Sequence, residues 1–172
     1  MTASDERVTG TLRSATSTNP TSASPGVRVT RRSKEVVGMV AWLIAAVVFA
    51  HGVGHSMGIV QATNLATINP AWSGDSWILT GTLGTGATRF VGIVLWSVAL
   101  VGFVAVAATV VGWLPAAWFG PLAVVSAVAS LAGLALFPIA FPTFSTIGAL
   151  AIDVAVLIAV VVWHWEPGQV LG

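Results

Sequence analysis

Four polar side chains stand within, or at the edge of, long apolar stretches of this chain: His51, His55, Arg89 and Asp153. His51 and His55 lie four residues apart in His51-Gly52-Val53-Gly54-His55-Ser56, so on a helix both imidazoles leave the same face about one turn apart. Two imidazoles at that spacing can chelate one ion. With the carboxylate of Asp153 they make a ligand set suited to a divalent transition metal such as Zn(II), Fe(II) or Cu(II). The same residues fit two other roles: a His–Asp hydrogen bond that neutralises buried polarity, and handling of a proton or substrate. Spacing alone leaves all three open.

Several chemistries are excluded by what is missing. A zinc protease of the His-Glu-x-x-His type needs a glutamate as general base, and Gly52 stands in that place. A haem held by two axial histidines needs ligands on opposite faces of the ring, which two residues one turn apart on one helix cannot supply. The chain has no cysteine, so disulfides, thiolate metal sites and cysteine nucleophiles are absent. Gly81-Thr82-Leu83-Gly84-Thr85-Gly86-Ala87-Thr88 lacks the Gly-Lys-Ser/Thr ending of a phosphate loop and is expected to be a flexible turn. No nucleic-acid motif is present, and the basic residues are too sparse to bind DNA.

The elements that must position these groups are hydrophobic spans. The chain is 56% hydrophobic and only 8% charged, whereas about a quarter of a soluble domain is charged. Apolar runs over about 36–60, 89–111, 117–137 and 145–163 are each near the twenty residues that cross a hydrocarbon core roughly 30 Å thick. The first is too long for the apolar core of a signal peptide. The expected fold is therefore all-α, an integral membrane up-down bundle of four transmembrane helices over 34–166. Before it lies a disordered basic tail, 1–33, and after it a short tail, 167–172.

Six of the seven basic residues, Arg7, Arg13, Arg28, Arg31, Arg32 and Lys34, precede the first span and only Arg89 follows it. The positive-inside rule then puts both termini in the cytoplasm of a cell (inner) membrane protein, with the segment from Gln61 to Ala87 as the outer loop. In that frame His51 and Asp153 each lie about 13 Å inside the outer end of their helix and can meet at one level. A polar cluster of His51, His55, Asp153 and Arg89, opening outward, is the sharpest expectation. Small residues every four positions, Ala46, Ala50, Gly54 and Gly58 on the first span and Ala151, Ala155 and Ala159 on the last, suit close helix packing. Trp113, Trp118, Trp163, His164 and Trp165 suit an interfacial belt at the cytoplasmic end.

The stretch from Ala50 to Gly58, then Gly92-Ile93-Val94-Leu95-Trp96 and Phe141-Pro142-Thr143-Phe144-Ser145-Thr146-Ile147-Gly148, resembles a group of small uncharacterised bacterial four-helix membrane proteins with a His-Gly-x-x-His pattern in the first helix, loosely DoxX-like. The resemblance implies the bundle fold and a bacterial inner membrane, and implies no reaction. The expected function is structural, accessory or interaction-based, with the bilayer and a homo-oligomer or other membrane protein as partners. The alternative is a small oligomeric transporter, or a membrane redox or metal-binding component, working through the His/Asp cluster.

Overall fold

The computed structural model describes the backbone of residues 25–167 and side chains from Glu35 onward. The expected tails fall partly outside it, since 1–24 and 168–172 are not described. Residues 25–33 are the start of a helix, so the first element begins before the expected boundary.

The order is α1 (Pro25–Gly54), α2 (Ser56–Ala62), α3 (Thr80–Val110), a 3₁₀ turn (Ala116–Trp118), α4 (Phe119–Leu136), α5 (Thr143–Leu157) and a π-helical turn (Ile158–Val162). Among the described residues there are no strands, and four helical stretches are long and apolar enough to cross a membrane: Glu35–Ala62, Thr80–Val110, Ala116–Leu136 and Thr143–Val162. His55 separates α1 from α2 with a tighter bond, its N–H reaching Gly52 O at 3.1 Å. The second span starts before its apolar run suggests, because Thr80–Thr88 is helical with a break at Gly84 (φ 76°, ψ 162°). That segment is the first part of α3 rather than a flexible turn.

Local sequence explains the ends. At the close of α3, Gly112 takes φ +79°, its N–H bonds Thr109 O and the Trp113 N–H bonds Ala108 O, the paired closure that a left-handed glycine makes possible. Pro115 follows, ends the turn and starts α4 in the reverse direction. At the other end of the bundle, Gln61 folds the 63–79 connection onto itself. Its Oε1 accepts from the Ile68 and Asn69 N–H groups at 3.0 and 2.7 Å, and its Nε2 donates to Asn69 O at 2.6 Å.

Helix α3 is central. α1, α2 and α4 pack on it, α5 packs on α4, and α5 meets α1 at only a few points. The ring order is α1, α3, α4, α5, closed by a sparse α1–α5 seam. One apolar cluster (Ala41, Ala45, Val48, Phe103, Val106 and Phe119 among others) fills the end near the 112–118 turn, and a second (Ala62, Trp72, Trp96, Leu134, Phe137, Phe141) fills the loop end.

The packing face of α1 differs from the expected ribbon. Ala41, Ala45, Val48 and Gly52 are buried residues of this helix, and a Cβ on Gly52 would stand 2.8 Å from Phe103 Cβ. Ala46 and Ala50 face outward, Gly54 is half-buried, and only Gly58 of the expected set is buried, against Trp96. Small residues occur in more than one register on this helix, and the bulk of Phe103 selects the other one. On α5, Ala151 and Ala155 are exposed and Ala159 is half-buried, so that ribbon is not used against α4.

Candidate functional site

Between the two apolar clusters lies a layer of polar side chains. Along α1 and α2 it sits between Val48 and Ala62, on α3 at the level between Ala99 and Trp96, and on α4 between Ala127 and Leu134. Its centre is Asp153, 0% exposed and the only buried residue of α5.

Each carboxylate oxygen of Asp153 has a partner from another helix. His51 Nε2 lies 2.8 Å from Oδ1, and Ser130 Oγ lies 2.5 Å from Oδ2. With the carboxylate ionised, both partners donate, so His51 carries its proton on Nε2 and the hydroxyl of Ser130 points at Asp153. The network thus joins α1, α4 and α5 through one residue, and it satisfies three buried polar groups at once.

His55 lies beside this network without joining it. Its ring is 5.0 Å from that of His51, edge to face, and stacks on Phe103 at 6.1 Å. Phe103 also takes the edge of His51 at 4.6 Å, so one phenyl ring sets both imidazoles. His55 is 3% exposed, and its Nε2 has no hydrogen-bond partner among the described residues.

The expected cluster is therefore brought together in part. His51 and Asp153 bond directly and His55 adjoins them. Arg89 belongs elsewhere: its Nη2 donates to Ser73 O at 2.5 Å and its Nη1 reaches Asn64 Oδ1 at 3.4 Å, pinning the 63–79 connection. Gly74, at φ +94°, leaves room for that guanidinium, since a Cβ there would collide with Arg89 Nε. As for a metal, no group of three or more His, Cys, Asp or Glu among the described residues is arranged to hold one. His51 turns its Nε2–H to Asp153, so its Nε2 is not free to coordinate an ion.

Ser130 and Phe103 are the members that sequence reasoning missed. Serine on an apolar helix commonly bonds its own backbone, as Ser126 does to Leu122 O at 2.6 Å, so hydroxyl identity alone does not mark Ser130. The nearest signal is its place in the middle of an otherwise apolar helix. Nor does the trio form a nucleophilic triad. Ser130 and His51 bind different oxygens of one carboxylate, so no imidazole is placed to take the serine proton.

The expected interfacial residues share one end. Trp113, Trp118, Trp163 and His164 are exposed there, Trp113 meets Trp42 edge-on, and Trp165 packs on Phe119 with ring centroids 5.1 Å apart. Trp72 and Trp96 are instead buried near the loop end.

Comparison with known proteins returns no match: no family model, no curated protein and no solved structure is similar to the chain.

Proposed function

We propose that this chain is a multi-pass protein of the bacterial cell membrane with an accessory or interaction role rather than a catalytic one, and that α5 is the element it offers to a partner. One observation carries the reading. Every residue of α5 except Asp153 is at least partly exposed, and Ala151 and Ala155 lie on the uncovered surface. Within lipid no hydrophobic effect drives helices together, so close approach at small residues and buried polar bonds decide which helices associate. Here the polar bonds point inward, holding α5 to the bundle through His51 and Ser130, and the small residues point outward.

The bias of basic residues before the first span supports cytoplasmic termini and an outer 63–79 connection. A reporter fused after Gly172 is then active in the cytoplasm. Metal-based redox or transport receives less support, because no three His, Cys, Asp or Glu among the described residues are arranged to hold an ion.

A photo-crosslinking residue at Ala155, activated in native membranes, tests the proposal. A discrete product at twice the chain's mass identifies a second copy as the partner, and a discrete product of another mass identifies a different membrane protein. Adducts to lipid alone would contradict the reading.

A further inference from the structure

A cavity of about 210 Å³ opens on the loop side of the His51–Asp153 bond, lined by His51, His55, Met57, Leu134, Phe141 and Phe144 among others. We propose that it is a binding site for a lipid-soluble, uncharged molecule with one benzene-sized ring and a single hydroxyl group, a monocyclic phenol or alcohol.

Size, polarity and access each narrow the ligand. A dry apolar cavity of about 150 Å³ accepts benzene, so this one takes a single substituted ring and is too small for a fused polycycle. The walls are mostly apolar. His51 and Asp153 face each other in a closed bond, leaving no unpaired charge to hold an ionised ligand. His55 is the polar group to spare, buried in the wall with Nε2 unpartnered. A buried polar atom left unpaired keeps its desolvation penalty, so a ligand that pairs it is favoured. A hydroxyl both donates and accepts, and therefore suits either tautomer of the imidazole.

Access is from the side. Met57 and Phe144 line the cavity yet are 47% and 89% exposed, and the sparse contact between α1 and α5 leaves the seam open between them. A molecule dissolved in the bilayer reaches the site without crossing the loop.

The full chain, reconstituted in phosphatidylcholine vesicles, is labelled with a diazirine-bearing phenol and the labelled peptides are mapped by mass spectrometry. Labelling concentrates on the peptides holding Met57, Leu134 and Phe141, and p-cresol competes about five- to tenfold better than toluene, the margin of one hydrogen bond. Gly148→Leu extends a side chain into the cavity from a position where an added Cβ meets nothing within 4 Å, and the labelling is lost. His55→Phe keeps the ring and removes the nitrogen, and p-cresol and toluene then compete equally. Labelling spread evenly over the lipid-facing surface, insensitive to Gly148→Leu, would overturn the proposal. So would equal competition by p-cresol and toluene in the unaltered chain.

Discussion

Asp153 Oδ1 lies 2.8 Å from His51 Nε2 across the α1–α5 seam, joining helices whose residues are 102 positions apart in the chain. Around that bond the neighbouring helices touch little, so it carries a larger share of the seam than a single hydrogen bond would in a tightly packed interface. The second oxygen of Asp153 ties the same residue to α4 through Ser130.

Asp153→Ala leaves His51 and Ser130 buried without an acceptor and lowers the stability of the bundle in detergent by about 1–3 kcal/mol. Asp153→Asn can still accept from Ser130 and bond His51 once the imidazole changes tautomer, so it costs less. Ser130→Ala removes one donor and costs about 1 kcal/mol. Unfolding free energies are expected to rank Asp153→Ala as the most damaging, with Asp153→Asn and Ser130→Ala milder. Equal losses for Asp153→Ala and Asp153→Asn would mean the hydrogen bonds contribute little.

Two glycines two positions apart on α1 separate packing from mere composition. At Gly52 an added Cβ would be 2.8 Å from Phe103 Cβ and 3.3 Å from Leu100 O, while at Gly54 it meets nothing within 4 Å. Gly52→Ala therefore forces α1 and α3 apart at a cost of about 1–3 kcal/mol, and Gly54→Ala is near neutral. Thermal melts of the two variants check this, and a larger loss at Gly54 would place the packing face of α1 on the wrong side.

The spans were legible because long apolar runs report helices directly, and the His51–Asp153 pairing was legible because depth from a helix end can be counted at about 1.5 Å per residue. Other features depend on three-dimensional partners. Thr80–Thr88 is rich in Gly and Thr and reads as loop, yet it continues α3 past a break at Gly84. Arg89 at the head of an apolar run could reach several places. Its actual partners, Ser73 and Asn64, are brought to it by a connection that Gln61 organises through side-chain bonds to backbone, a pattern no periodicity reveals. The four-residue recurrence of small side chains on α1 fits more than one face, and only the position of Phe103 chooses between them.

Gln61→Ala removes the acceptor for the Ile68 and Asn69 N–H groups. Hydrogen exchange at those two amides then speeds up by roughly tenfold or more, while amides in the middle of α4 keep their protection. Unchanged exchange at Ile68 and Asn69 would show that the connection is organised by something other than Gln61.

Added Zn(II) is expected to leave thermal stability unchanged, because a ligand stabilises only a fold that binds it and no three His, Cys, Asp or Glu among the described residues are arranged to hold an ion. A melting temperature that rises with zinc concentration, and no longer does so in His51→Ala, would restore the metal-centre reading.

The most direct measurement is a double-mutant cycle on His51→Ala and Asp153→Ala, comparing unfolding free energies of the single and double variants with the unaltered protein. Interhelical hydrogen bonds in membrane proteins average about 0.6 kcal/mol and reach about 1.7 kcal/mol. A coupling energy in that range is predicted, with the double variant losing less than the sum of the singles. Strict additivity, within about 0.3 kcal/mol, would contradict the claim that this pair holds α5 to the bundle.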